Sequence, residues 1–146
     1  MDANAGPHPL TLIICRSITR ERADLPATYS GVVNMFPVVG QPGQVGGALN
    51  PTPSFQVEAR FAAGLARGSF RFGLRVTIGS GEPTMLRSAE VRLLDGRQEV
   101  RLARTWQLKR VPDTPIWFES LVNDWVVMRV PFTIPIIPPP SDERQA

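Results

Sequence analysis

Side chains that commonly carry out catalysis are scarce in this chain, which contains one histidine and one cysteine among 146 residues. His8 lies between two prolines, with no neighbouring group that would position an imidazole for general-base chemistry. Cys15 ends a short apolar run, where we expect a buried structural thiol. One His and one Cys cannot build a zinc site, and the aspartates lack the spacing of a cation-binding loop. We therefore expect neither a metal nor another cofactor.

Two glycine-containing segments share the composition of catalytic or phosphate-binding motifs but not their spacing. Residues 79–81, Gly-Ser-Gly, lack the Gly-x-Ser-x-Gly pattern of a nucleophile elbow and indicate a turn before Pro83. Residues 40–47 are glycine-rich, but they contain neither the dinucleotide-binding fingerprint nor the lysine of a P-loop. An enzyme would have to work with carboxylates and arginines alone, so we expect no catalytic activity.

The composition predicts a globular protein with a mixed-charge surface. Hydrophobic residues make up 42% and charged residues 20% of the chain, which is typical of a folded domain. The formal net charge is +3. Lys109 is the only lysine, and the arginines are spread along the chain and interleaved with glutamates. This distribution predicts a solvated surface and not a nucleic-acid interface.

Residues 85–108 predict a β-hairpin. Asp95-Gly96 is a preferred pair for a two-residue type I′ turn, because both central positions need positive φ. With this pair as the loop, Val91 faces Val100 on an apolar face, and oppositely charged residues face each other on the other side of the sheet. Such an alternation is expected of an antiparallel sheet with one buried face.

The same register places Arg87 opposite Arg104 on the apolar face of this hairpin. Like charges at facing positions are unfavourable in a core. Either this end of the hairpin leaves the core, or a bulge changes its phase. A third interpretation is that both guanidinium groups line an open rim and bind an anion or a partner carboxylate. Arg87 and Arg104 are therefore the candidate anion-binding residues.

Further strands are predicted by apolar runs and alternating patterns. Residues 10–15, 29–36 and 55–61 are short runs of this kind. Residues 69–78 alternate most regularly, with every second side chain apolar. No segment has the pattern of an amphipathic helix. Seven or eight strands in this length predict an all-β fold, a two-layer antiparallel β-sandwich, with a flattened β-barrel as the alternative.

Residues 116–122 and 125–136 predict a second hairpin, around residues 123–124. Pro131 and Pro135 lack N–H groups on the same side of the last strand, so this strand should lie at a sheet edge, protected against further pairing. A two-residue loop would place Pro131 opposite Ile116 at a hydrogen-bonded position, which proline cannot complete. A four-residue loop, residues 122–125, removes this conflict, and we favour it.

Apolar side chains near the C-terminus are the candidate contact surfaces. The second hairpin carries a tryptophan at its loop, where a large aromatic residue is often exposed and used in protein contacts. The apolar stretch that follows would be unfavourable in water and is predicted to dock on a neighbouring subunit. The candidate partner-binding residues are Trp125, Ile134, Ile136, Ile137 and Pro138.

The length of the chain predicts one domain. Residues 1–9 are expected to form a flexible N-terminal segment, and residues 10–136 a single β-sandwich domain with a long Pro/Gly-rich loop at 37–53. Residues 137–146 read as a proline-rich, charged tail. The N-terminal residues show neither a signal peptide nor a membrane span, and one cysteine excludes an internal disulfide framework. We expect a cytoplasmic protein, or a virion-associated one if a phage encodes it.

Three stretches of the chain resemble a family of small bacterial domains of unknown function. In residues 12–36 a strand ending near a cysteine leads through a polar segment into a glycine-containing strand. Residues 69–83 and the closing segment 122–134, VNDWVVMRVPFTI, continue the likeness. Arg16 departs from the pattern, since family members commonly carry an acidic residue there. The resemblance implies a compact β-sandwich and supplies no activity, because the family has none assigned.

Together these features predict a non-catalytic β-sandwich protein that acts through protein–protein contacts. It would work by self-assembly or as an accessory module of a bacterial or phage assembly. The alternative is a module that binds a small anionic ligand or an acidic partner at Arg87 and Arg104. Neither nucleic acid nor a membrane is expected as a partner.

Overall fold

The computed structural model describes residues 5–20, 27–35, 38–39, 47, 49, 52–112 and 114–137. Every regular element in these ranges is a β-strand. The strands are β1 (His8–Cys15), β2 (Ser17–Thr19), β3 (Thr28–Ser30), β4 (Val38–Val39), β5 (Ser54–Ala62), β6 (Gly68–Ile78), β7 (Thr84–Leu93), β8 (Glu99–Gln107), β9 (Ile116–Val122), β10 (Trp125–Phe132) and β11 (Ile136–Ile137).

Two antiparallel sheets form the body of the protein. One has three strands in the order β1-β5-β8, and the other has four in the order β10-β9-β6-β7. Neither sheet closes into a barrel. The predicted all-β sandwich is therefore confirmed, and the flattened barrel is not what forms.

Regular alternation along the central strands builds the core. Phe55, Val57, Ala59 and Phe61 of β5 are fully buried, and they face the other sheet at every second position. On β6 the predicted apolar face is present, although Ile78 at its end is exposed. Burial of such side chains is the main favourable contribution to folding. Rings from both sheets meet at the centre at centroid distances of 5.2–6.1 Å: Phe55, Trp106, Phe118 and Phe132.

The hairpin predicted for residues 85–108 is wrong. β7 pairs with β6 and β8 pairs with β5, so the two strands belong to different sheets. Val91 faces Phe70, and Val100 faces Phe61. Asp95-Gly96 instead lies in the connection that crosses from one sheet to the other.

Asp95 and Gly96 turn the chain, but neither has the positive φ that a type I′ hairpin turn needs. The Asp95 carboxylate accepts a hydrogen bond from the Arg97 N–H at 2.8 Å, and the Asp95 carbonyl accepts one from the Gln98 N–H at 3.0 Å. The charged residues that were predicted to face each other across the hairpin have partners on other strands. Arg60 of β5 binds Glu99 at 2.5 Å, and Glu90 faces Arg71 of β6.

The second predicted hairpin is confirmed as β9 and β10, but its predicted four-residue loop is wrong. Trp125 faces Val122, which leaves Asn123 and Asp124 as a two-residue turn with φ of 48° and 69°. Positive φ at both positions is the signature of a type I′ turn. The register then shifts between Val126 and Met128. This β-bulge places Pro131 opposite Trp117, so the conflict at Ile116 does not arise.

β10 lies at the edge of the four-stranded sheet, as its prolines predicted. The Thr133 N–H donates to the Asn34 carbonyl at 3.1 Å and therefore points away from β9. Pro131, two residues earlier, has its missing N–H on the same outer side. The strand ends at Phe132, earlier than expected, and this outer side offers few free donors.

The N-terminal part differs from the prediction in its boundaries. β1 begins at His8, which pairs with Ala62, so the ordered sheet starts inside the segment expected to be flexible. The strand predicted for residues 29–36 is limited to Thr28–Ser30, and its partner is Ser17–Thr19, in the polar segment between the first two predicted strands. Most of the 37–53 loop lies outside the described residues, and so do residues 138–146 of the predicted 137–146 tail.

The two flanks of the sandwich differ. On the β1/β10 side, residues 31–35 bridge the sheets: the Val33 N–H donates to the Ile14 carbonyl at 2.9 Å, and Met35 forms a bridge with Thr133. On the opposite flank, β7 and β8 are the neighbouring edges. They are joined through residues 94–98, and a gap opens between them towards the other end of the flank.

Candidate functional site

The turn between β9 and β10 presents apolar side chains to solvent. Trp125 is 78% exposed, and Val126 and Val127 beside it are also exposed. We call these three residues the Trp125 tip. Trp125 was predicted to be exposed at this loop, and the structure confirms its exposure.

The Trp125 tip is held in place by β6. The Arg71 N–H donates to the Asn123 side-chain oxygen at 2.9 Å, and the Asn123 N–H donates to the Arg71 carbonyl at 2.8 Å. The Arg71 guanidinium also pairs with Asp124 at 3.0 Å. This ion pair is well exposed and adds little stability, but it leaves the turn without net charge. A fixed, neutral and apolar surface of this kind suits contact with another protein.

Three of the other predicted partner-binding residues already have contacts within the chain. Ile134 packs against the hydrophobic core. The backbones of Ile136 and Ile137 pair in parallel with Val38 and Val39. Pro138 lies outside the described residues. Docking of this stretch on a neighbouring subunit stays a prediction.

Arg87 and Arg104 do not face each other, so their predicted pairing is wrong. Arg87 faces Leu74 of β6, whereas Arg104 faces Val57 of β5. The cause is the crossing at residues 94–98, which places β7 and β8 in different sheets. Arg104 occupies an inward-facing register position and is nevertheless exposed, because β8 is an edge strand. Arg87 is exposed beside a β-bulge, where the register of β7 against β6 shifts between Arg87 and Met85 and Leu86 packs against the core.

Arg104 lines a cleft of about 760 Å³ at the flank where β7 and β8 diverge. We call this the β7–β8 cleft. Arg87 is not part of its lining, and the second cation there is Lys109. The cleft is open to solvent on one side, and its wall is lined by Val76, Ile78, Thr84, Met85, Leu86, Arg104, Thr105, Trp106, Gln107 and Lys109.

The sequence analysis singled out neither Lys109 nor Trp106 as a site residue. Trp106 is half-buried: its ring packs edge-to-face on Phe118 at 5.2 Å, and it also borders the cleft. Lys109 follows the end of β8, where alternation no longer indicates which way a side chain points. The sequence marks Lys109 only as the single lysine of the chain, which is weak evidence for a site.

Acidic groups elsewhere in the sheets are bound by arginines. Glu119, on the outer face of the four-stranded sheet, accepts hydrogen bonds from Arg75 and Thr77, each at 3.0 Å. Arg129 approaches the same carboxylate at 3.3 Å and stacks over Trp117 at 3.8 Å. Hydrogen bonds and ion pairs of this kind stabilise the local geometry.

Glu58 forms a second buried polar group, on the outer face of the three-stranded sheet. It is 2% exposed, accepts a hydrogen bond from the Tyr29 hydroxyl, and lies 3.6 Å from the Arg101 guanidinium. Burial and this hydrogen bond raise the pKa of Tyr29 to about 12. A phenol with so high a pKa is not suited to proton transfer near neutral pH.

Cys15 is fully buried, as predicted, and its thiol donates to the Ser17 carbonyl at 3.4 Å. Burial, together with the nearby charge of Glu58, raises the pKa of this thiol, which keeps it protonated. Within the described part of the chain, no three His, Cys, Asp or Glu side chains gather closely enough to hold a metal ion. The described residues also contain no helix long and apolar enough to cross a membrane.

Neither the models of known protein families nor the curated proteins contain a match to this chain. The resemblance to a family of small bacterial domains therefore stays a prediction. The interpretation of function rests on the geometry of the Trp125 tip and of the β7–β8 cleft.

Proposed function

We propose that the protein is a non-catalytic β-sandwich that self-associates through the Trp125 tip. The observation that carries the proposal is the 78% exposure of Trp125 on a turn anchored to β6. An indole offers a large apolar area with few rotatable bonds, so its burial in an interface is favourable and costs little entropy. The buried, unpaired Cys15 is compatible with a cytoplasmic location.

A second copy of the chain is the partner that best fits the chemistry of the tip. Most homo-oligomers use a two-fold axis, across which the same patch must be complementary to itself. An apolar patch meets this condition, and the neutral Arg71–Asp124 pair beside it adds no repulsion. Pairing through the edge of β10 is disfavoured, since Pro131 lacks a donor and Thr133 already binds Asn34. The contact would therefore be made by side chains.

Size-exclusion chromatography with light scattering over a wide concentration range tests the proposal. The wild-type mass should rise with concentration, and Trp125→Ser should remain monomeric. Leu65→Ser is the matched control, because Leu65 is 73% exposed but lies in the β5–β6 connection. A wild-type protein that stays monomeric throughout would refute self-association. A Trp125→Ser variant that associates like the wild type would exclude the Trp125 tip as the interface, and a control variant that also becomes monomeric would show that the loss is not specific to the tip.

Tryptophan emission provides an independent reading of the same contact. An exposed indole emits at long wavelength, and burial in an interface moves its emission to shorter wavelength. We expect this shift to grow with concentration in the wild type and to be absent in Trp125→Ser. Point substitutions are preferable to truncation after Thr133, because truncation would remove Ile134 from the core and the pairing of Ile136–Ile137 with Val38–Val39.

A further inference from the structure

The β7–β8 cleft is an opening into the space between the two sheets. At the 94–98 end of this flank the sandwich is closed, since Leu93 is fully buried and Val100 nearly so. Towards the other end β7 and β8 separate, and the cleft of about 760 Å³ opens between them. Its volume falls within the usual range for small-molecule sites, roughly 300–1,000 Å³.

The inner wall of the cleft is apolar because inward-facing positions of three strands reach it. Val76 of β6 is almost fully buried, and Leu86 of β7 packs against the core. Trp106 of β8 is held by ring contacts with Phe55 at 6.1 Å and Phe132 at 6.0 Å. A wall fixed by packing of this kind is preformed for an apolar ligand body.

The rim of the cleft is cationic. Arg104 occupies an inward register position of β8, opposite Val57, so the strand directs its side chain towards the gap. Lys109 follows the end of the same strand. Among the described residues, the lining contains no carboxylate and neither cation has an ion-pair partner. Elsewhere on both sheets, arginines such as Arg60 and Arg75 do have such partners.

We propose that the β7–β8 cleft binds an organic carboxylate with an apolar body. The body lies against Trp106, Val76 and Leu86, and the carboxylate accepts hydrogen bonds from Arg104 and Lys109. A planar guanidinium matches a carboxylate in two-point geometry, and the ammonium adds a second charge. This site is separate from the Trp125 tip, because β7 and β10 are opposite edges of the four-stranded sheet.

Octanoate is a suitable probe, since it joins one carboxylate to a flexible apolar chain. Acetate supplies the charge without the body, and 1-octanol supplies the body without the charge. The chain has three tryptophans, so their indole N–H signals in a ¹⁵N-correlated NMR spectrum can be assigned by single Trp→Phe variants. Octanoate should shift the Trp106 signal in a saturable way and leave the Trp117 and Trp125 signals in place.

Two substitutions and a matched control test which side chains bind the carboxylate of octanoate. Arg104→Gln should weaken octanoate binding by about tenfold, the loss expected for one charge-assisted hydrogen bond in a partly open site. Lys109→Gln should have a smaller effect in the same direction. Arg87→Gln removes an exposed arginine from β7 that does not line the cleft, and it should bind octanoate like the wild type.

A third variant tests the cleft itself. Thr84 is exposed at the mouth and faces Val76, so Thr84→Phe should fill the opening and abolish the Trp106 shift while the fold remains. The proposal is overturned if octanoate causes no saturable shift, or if acetate or 1-octanol acts as strongly as octanoate. It is equally overturned if Arg104→Gln binds like the wild type, or if Arg87→Gln loses binding to the same extent as Arg104→Gln.

Discussion

Tyr29 is the only tyrosine of the chain, and its ionisation gives a direct test of the buried carboxylate on the three-stranded sheet. Its hydroxyl donates to Glu58, whose side chain is almost entirely shielded from water. Burial of the phenol, followed by the hydrogen bond and by the charge of Glu58, raises the pKa of Tyr29 to about 12. In the unfolded chain the ordinary pKa of about 10 applies.

This difference fixes both the sign and the size of a pH effect. The folded protein holds the phenolic proton more tightly than the unfolded chain does. The resulting stabilisation is complete below pH 10 and is lost as the pH rises through the folded-state pKa of about 12. At about pH 11 the loss should be about 1 kcal/mol, out of roughly 2 to 3 kcal/mol in total.

The assay compares urea unfolding of wild type and Tyr29→Phe at about pH 8 and about pH 11. At the lower pH the substitution should cost about 2 kcal/mol, because buried Glu58 loses a donor. At the higher pH this difference should shrink by about 1 kcal/mol, since only the wild type contains the phenol. The pKa of the Cys15 thiol is also raised, but this thiol is present in both proteins and its contribution cancels.

Two results would refute this reasoning. One is an unchanged difference between the two proteins at both pH values. The other is a tyrosinate absorbance transition near pH 10 in the folded wild type, read against Tyr29→Phe as a blank. Either result would mean that the Tyr29 hydroxyl is solvated and does not contact Glu58.

Three further predictions test other parts of the fold. Cys15 should react with a thiol reagent far more slowly in the folded protein than in urea, because its thiol is buried and its pKa is raised; equal rates would contradict this. Asn123→Ala should lower the free energy of unfolding by about 1 to 2 kcal/mol in urea titrations, because residue 123 has a φ of 48°. Asn123→Gly should cost less, since glycine adopts positive φ without strain. Phe132→Ala should cost about 3 to 5 kcal/mol in the same assay, because this buried ring packs on Phe55 and Phe118; a loss below 1 kcal/mol would show that the ring does not lie in the core.

Strand identity could be predicted from the sequence because it depends on local alternation. Residues 69–78 form most of β6, and residues 55–61 lie within β5. Partner choice could not be predicted in the same way. Asp95-Gly96 turns the chain, although not as the predicted type I′ turn. Whether β8 returns beside β7 or joins β5 depends on how the two apolar faces pack, which no local pattern records.

For the candidate sites, too, local features could be predicted from the sequence and features that depend on strand packing could not. The exposure of Trp125 follows from its place at a turn, a local feature, and it could be predicted. The β7–β8 cleft depends on the divergence of two edges from different sheets, so Arg104 was singled out for a pairing that does not occur. Its neighbour Lys109 lies beyond the alternating part of β8 and had no pattern to identify it.

The crossing at residues 94–98 also has a consequence for the order in which the protein folds. β6 with β7, and β9 with β10, are neighbours in the chain, so closing these pairs costs little loop entropy. β5 must wait for β8, since Ser54 pairs with Gln107 and Ala62 with Glu99 across the whole β6–β7 unit. The β6–β7 and β9–β10 hairpins should therefore form early, whereas the β6–β9 ladder, which pairs Ile78 with Ile116, and the β5–β8 ladder should form late. Destabilising substitutions in the β5–β8 ladder would then act mainly by speeding unfolding, while those in the β6–β7 hairpin would slow folding.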